Sequence, residues 1–469
     1  MVFSSLVFLY FFLPINLILY YVSGNLMYRN ILLTLFSFFF YAWGEPIWIV
    51  LLLFSALFDY GNGIWIERLN NKAKAKWVVV FSIAVNLGLL IAFKYSGFIY
   101  DNIASIISLP FDRPTVTLPI GISFYTFQTI SYTVDVYRGD VKAQRNPMNF
   151  LLFVSLYHQL VAGPIVRYKT IADEINGRKF HWDDFSSGIG RFSLGLFKKI
   201  VIANAAGALV DSYLINQFNS LTSVTAWFGI TLFAVQIYFD FSGYSDMAIG
   251  LGRMFGFHYD ENFKNPYAAN SITDFWRRWH ISLSSFFRDY VYIPLGGNKK
   301  GAGRMYLNIL IVWTLTGMWH GASWNYMLWG LYFALLMFAE KAFLLKLYDL
   351  VPSVFRYTIT LILVVFGWSL FYFEDLSKFG EFCVALVNFA PNESVSFLFD
   401  LKQNIFWFGL VIMFCIPWNE FGFVNQRLSS LSTHPVLLSG KIILHIGVLL
   451  ICTSFLVGST YNPFLYFRF

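Results

Sequence analysis

Long apolar runs separated by short polar loops fill nearly the whole chain. They fall at about residues 2–22, 30–43, 46–66, 77–95, 119–136, 148–165, 188–214, 224–251, 305–318, 323–346, 354–374, 404–418 and 440–460. About 20 apolar residues in a helix cross a bilayer unaided. Several runs fall short of that length. Some helices should therefore be re-entrant, broken or tilted, which is tolerated only where the backbone is buried in protein or lines a cavity. The run Val2 to Val22 has no basic residues before it and no small-residue cleavage site after it, and reads as a retained first span. The pattern predicts an all-α polytopic membrane protein of about 11–13 helices with re-entrant or broken segments. No linker, composition shift or internal repeat divides it, so residues 1–469 are expected to form one membrane domain, with a motif-bearing core over about 118–335.

Composition agrees with this reading. Mean hydropathy is +0.59, 57% of residues are hydrophobic and 13% are charged, against roughly 25% charged in soluble domains. So few charges could not cover a soluble globule of this size. The net charge of +7 belongs to loops and implies positive-inside orientation, with no nucleic-acid partner. The loop Glu67 to Lys76 is the strongest cytoplasmic anchor, followed by Arg138 to Arg145, which places the N-terminus outside. The cysteines Cys383, Cys415 and Cys452 lack CxxC spacing and read as small hydrophobes; no metal site is expected.

Polar groups are packed too densely for lipid-facing helices between about residues 119 and 330. On a helix, Tyr125, Gln128, Tyr132 and Asp135 form a polar stripe that should face the protein interior. Either it binds substrate or donor through Gln128 and Tyr132, or it is hydrogen-bonding glue between helices. Gly163–Pro164 should end or kink a helix after His158, which is either functional or structural. Lys169 to Asp184 reads as an amphipathic stretch on the cytoplasmic face. Asp240 and Asp246 are costly inside an apolar segment unless paired, and Arg253 lies on the Asp246 side of the same helix. Asn262 to Asn270, with its Asn–Pro turn, suggests a helix exit.

Ser271 with Asp274 starts a further helix in capping-box fashion. On a continuous helix Arg277, His280, Ser284 and Arg288 would share one face. Arg277, Arg278 and Arg288 either meet the phosphates of an acyl donor or pin the helix at the interface. His320 lies in an apolar, Trp-rich stretch, where an ionisable group is a functional candidate by default. Gly317 and Gly321 flank it at a spacing that lets another backbone approach closely, and Trp319 and Trp324 offer bulk to wall a pocket.

The ordered blocks Pro119–Gln128, Ala162–Tyr168, Asp240–Asp246, Asp274–His280, Arg288–Gly297 and Gly317–Gly321 resemble the membrane-bound O-acyltransferase family. The likeness is to its bacterial polysaccharide branch, the alginate and peptidoglycan O-acetyltransferase membrane subunits, with teichoic-acid D-alanyl transfer proteins a step away. Matching blocks reach to about residue 335; the rest matches only as hydrophobic spans. His158–Gln159 departs from the apolar lead expected before Ala162–Gly163–Pro164.

The resemblance implies a ring of helices around a thin central region, with funnels from both faces meeting at a histidine. By its Trp–His–Gly context His320 matches the essential histidine, and His280 matches the second polar position. It further implies a membrane O-acetyltransferase subunit in the bacterial cytoplasmic membrane. Acetyl-CoA or another acyl thioester would be the cytoplasmic donor, with no bound cofactor. The acceptor would be an extracytoplasmic polysaccharide, reached through a separate extracytoplasmic partner protein with a serine nucleophile. No Gly-x-Ser-x-Gly elbow is present, so His320 is the candidate base for direct transfer, with His280 orienting substrate or stabilising the oxyanion. The rival readings are D-alanyl transfer to teichoic acid and a polytopic transporter or flippase.

Overall fold

In the computed structural model, residues 1–161, 163–348, 350–389, 394–418, 435–458 and 464–465 are described. Their regular secondary structure is entirely helical, with no β-strand among them. Among the described residues, eight helices are long and apolar enough to cross a membrane, or nine if the pair Phe397–Gln403 and Ile405–Cys415, bent by 75°, counts as one span. This is an all-α, multi-pass membrane protein. Shorter predicted runs resolve differently. The 148–165 run is a helix only over Pro147–Ser155, so the helix ends well before the Gly163–Pro164 breaker. The amphipathic stretch forms the helix Tyr168–Gly177, and Trp182 opens the next helix.

The chain divides into two compact units, one of Met1–Phe192, Tyr244–Glu261 and Arg288–Val291, the other of Ser193–Gly243, Asn262–Phe287 and Tyr292–Phe469.

In the first unit, helix Ile122–Arg138 packs against Ile49–Arg68 and Lys72–Leu90 and is buried along nearly its whole length. Its polar stripe does face inward. Tyr290 Oη donates to both carboxylate oxygens of Asp135 at 2.8 Å, and Tyr132 Oη accepts from the Gln144 backbone N–H at 3.0 Å. Asp59 is satisfied in the same way, accepting from Asn62, Ser82 and Asn86 at 3.1, 2.6 and 2.7 Å. A buried carboxylate in an apolar setting is tolerable only with such a full set of partners.

The second unit is built around aromatic side chains. Trp276, Trp279, Trp313, Trp329, Phe333, Trp368 and Phe371 belong to one buried cluster. Helix Ala302–His320 and helix Trp324–Ala339 form a tight hairpin, and Ser353–Tyr372 packs on the second of them. Glycines set this closeness. A methyl group at Gly317 would run into the Tyr326 carbonyl oxygen, and one at Gly330 into that of Trp313. Asp240 makes a buried ion pair with Lys199 and accepts from the Leu465 backbone N–H at 2.7 Å.

Candidate active site

His320 is the last residue of its helix, where the chain turns through Gly321 to Ser323 into the hairpin's second arm. The close approach permitted by Gly317 and Gly321 drives the imidazole into aromatic surroundings, and 8% of the residue remains exposed. Its ring lies 4.9 Å from Trp319, 5.1 Å from Trp329 and 5.2 Å from Phe371, each edge-on. Trp324, at the start of the next helix, is 52% exposed. The counting of apolar neighbours along the chain missed Trp329 and Phe371, which come from later turns and a separate helix.

His280 sits in a break. Helix Ile272–Arg278 starts as the sequence predicts, with Ser271 Oγ accepting the Asp274 N–H at 3.0 Å. It stops at Arg278, however, and a new helix begins at Ile281. The one-face alignment of Arg277, His280, Ser284 and Arg288 is therefore not formed. The break is stabilised from outside the helix. The Asn262 backbone carbonyl accepts the Ile281 N–H at 3.0 Å, and Asn262 Oδ1 accepts the Ser282 N–H at 3.2 Å and Ser282 Oγ at 2.8 Å. A residue eighteen positions upstream thus caps the second helix. Local periodicity carries no trace of this.

The break turns the His280 backbone to φ 44°, a left-handed conformation rare for non-glycine residues, and buries the residue to 1% exposure. Its ring lies 4.7 Å from Phe241 and 5.9 Å from Trp319. Nδ1 is 3.1 Å from Asn262 Oδ1, and Nε2 is buried without a hydrogen-bond partner among the described residues. Burial pushes this imidazole down to about 3, so it is neutral at physiological pH.

The candidate donor-binding residues are dispersed. Arg277 is exposed in the second unit, and Arg278 there pairs with Asp274 at 3.0 Å, four residues apart on one helix. In the first unit, Arg288 is exposed and pairs with Asp289, which also accepts from Arg167 at 2.7 Å. Asp246 pairs there with Arg191 at 2.6 Å and not with Arg253, which reaches Ser187 Oγ at 3.5 Å. Gln128 is fully buried with both amide atoms unbonded among the described residues, whereas Tyr132 is held by Gln144 and packs 5.2 Å from Tyr168. His158 is buried in the same unit, 3.2 Å from Tyr259 Oη. The second unit also holds a cavity of about 700 Å³, lined by Tyr372 and Phe373, by Gln236, and by the charged residues Asp211, Glu374 and Lys378 among others.

Residues 142–379, which include both histidines and their aromatic neighbours, match the model of the membrane-bound O-acyltransferase family. The chain belongs to that family. It is 44% identical, over 83% of its length and 76% of the relative's, to the probable alginate O-acetylase AlgI of Pseudomonas syringae pv. tomato. It is 29% identical to the peptidoglycan O-acetyltransferase of Helicobacter pylori, over 100% of this chain and 98% of that one. It is 30% identical to the teichoic acid D-alanyltransferase of Bacillus subtilis over 55% of this chain and 68% of the relative. A membrane-bound O-acyltransferase needs an acyl donor, a hydroxyl acceptor and a group to take the hydroxyl proton. Among the described residues of the second unit, His280 and His320 are both buried, at 1% and 8% exposure.

Proposed function

We propose that this O-acyltransferase takes an acetyl group from a cytoplasmic thioester, acetyl-CoA or a similar donor, and delivers it across the bacterial cytoplasmic membrane for O-acetylation of an extracytoplasmic polysaccharide. The polysaccharide is an alginate-like exopolysaccharide or a cell-wall glycan. The observation that carries this reading is the convergence of His280 and His320 on one indole, Trp319, within the family-matched region. The acetyl group and the polysaccharide are supported by the relatives named as alginate O-acetylase and peptidoglycan O-acetyltransferase, which match over more of the chain than the D-alanyltransferase does.

His320 takes the proton of the incoming hydroxyl as its oxygen attacks the thioester carbonyl. The C–S bond breaks, and the leaving thiolate recovers the proton from the imidazolium. No covalent acyl-enzyme is required. His280 touches the substrates and positions them. Arg277 and Arg278, in the same unit as the two histidines, are proposed to meet the donor; Arg288, Asp246, Gln128 and Tyr132, candidates from the sequence, belong to the first unit. The hydroxyl is that of a serine on a separate extracytoplasmic partner protein, which then places the acetyl group on the sugar. The basic loop from Arg68 to Lys76 faces the cytoplasm, where the donor is made.

The test is reconstitution. Purified protein in vesicles, given acetyl-CoA labelled in the acetyl group, should release CoA and pass label to a hydroxyl acceptor on the opposite side. Label transfer only from a D-alanyl carrier protein, or acceptor movement independent of any thioester, would overturn the proposal.

A further inference from the structure

We propose that Asn262 is a positioning residue that holds His280 in a single tautomer, with its hydrogen on Nδ1 and a bare, hydrogen-bond-accepting Nε2 presented to the substrate. This rests on the reading above that His280 touches the reacting molecules, and it decides how it does so.

A backbone N–H can donate and never accept. The Asn262 side-chain atom 3.2 Å from the Ser282 backbone nitrogen must therefore be the carbonyl oxygen, because the amide NH2 there would set donor against donor. An amide oxygen only accepts, so the His280 Nδ1 lying 3.1 Å from it carries the hydrogen; Ser282 Oγ, 3.4 Å from Nδ1, directs its own hydrogen to the same oxygen at the shorter distance of 2.8 Å. A neutral imidazole has one N–H. Nε2 is then a lone-pair acceptor, and it is buried with nothing bonded to it among the described residues. Buried polar atoms are rarely left so, and a bound substrate group is the natural occupant.

The same Asn262 also secures the ring's direction. Its backbone carbonyl and side-chain oxygen together accept from Ile281 N, Ser282 N and Ser282 Oγ, which over-determines the helix break that keeps His280 at φ 44°. Backbone strain at His280 and its ring tautomer thus share one support. The chemical consequence separates two roles for His280. Its Nε2 accepts a hydrogen from a hydroxyl or amide N–H of a substrate. In this tautomer it has no hydrogen to give to the carbonyl oxygen, so stabilising the developing oxyanion falls to other donors.

The experiment is 15N spectroscopy of the full-length protein labelled in its histidine rings, with the His280 signals identified by their loss in His280→Gln. At neutral pH the wild-type spectrum should show a protonated Nδ1 and an unprotonated Nε2. Asn262→Asp keeps an acceptor for both Nδ1–H and the Ser282 N–H, so the same tautomer and most of the transfer activity should persist. Asn262→Leu should release the tautomer and lower transfer by about 10–100-fold, as loss of a histidine-orienting partner does elsewhere. A wild-type ring protonated on Nε2 would overturn the inference, even if Asn262→Leu fails to fold. So would an unchanged tautomer in a folded Asn262→Leu. The spectrum is read without any acyl donor, so a failure of the tautomer and a failure of the acyl-transfer role are distinguishable.

Discussion

The rings of His280 and His320 stand edge-on to the same indole, Trp319, at 5.9 and 4.9 Å. Trp319 immediately precedes His320, while His280 comes from a helix break forty residues earlier in the chain, so the pair is a product of packing. One aromatic plate fixes both imidazoles in water-poor surroundings, where a polar interaction is worth more than in water.

Substitution should separate the two rings. His320→Ala should leave a folded, inserted protein and lower acetyl transfer by about 10²–10⁴-fold, the usual cost of losing a general base. His280→Asn retains an accepting oxygen and should be slowed but active, whereas His280→Leu should be inactive. Transfer rates on detergent-purified variants, matched for yield and melting temperature, provide the measurement. Equal loss in both His280 variants would mean that the ring exchanges a proton, and equal activity would make it structural.

Gly317→Ala should weaken the hairpin that presents His320. The added methyl meets a backbone carbonyl, which cannot rotate away as a side chain could. Overpacking of this kind costs about 1–3 kcal/mol. The melting temperature should fall, whereas Gly303→Ala, with open space around it, should leave it unchanged.

The Lys199–Asp240 pair is buried on both sides, at 4% and 5% side-chain exposure. Lys199→Met or Asp240→Leu alone strands a charge and should destabilise the protein by about 3–5 kcal/mol. The double variant should recover much of that loss, although the Leu465 N–H then forfeits its acceptor. A double-mutant cycle on thermal unfolding measures the coupling, and strictly additive losses would contradict it.

His258 lies outside the membrane-spanning helices, 2.7 Å from Glu174 and 3.3 Å from Asp184. Burial pushes its imidazole down, but hydrogen bonds and charge from the two carboxylates outweigh this and raise it above its usual value. A raised folded-state value contributes stability in full below the unfolded value of about 6.5, and loses it as pH rises through the folded value. His258→Gln should therefore lower the melting temperature at mildly acidic pH and have no effect at alkaline pH. The side chain is 53% exposed, so screening keeps the effect small.

Several features are legible in the sequence alone. Apolar run length showed a helical membrane protein, because the bilayer demands it. Gly317 and Gly321 predicted close approach beside His320, and Tyr326 is what approaches. The rule that buried acids need partners anticipated pairing for Asp240 and Asp246. It named the wrong partner for the latter, since Arg253 is near in sequence whereas Arg191 is near in space. The shared face of Arg277, His280, Ser284 and Arg288 failed because helical periodicity presumes an unbroken helix.

By itself, the sequence determined the helices, the membrane setting, the family and which two histidines to suspect. Each of these follows from local composition, spacing or ordered motifs. The tertiary structure alone decided that the helix breaks at His280, that Asn262 caps the break and bonds the ring, and that Trp329 and Phe371 pack beside His320. Those outcomes depend on hydrogen bonds and ring contacts between residues far apart along the chain. Such pairs leave no periodic signature, because their energy exists only once the intervening chain has folded back.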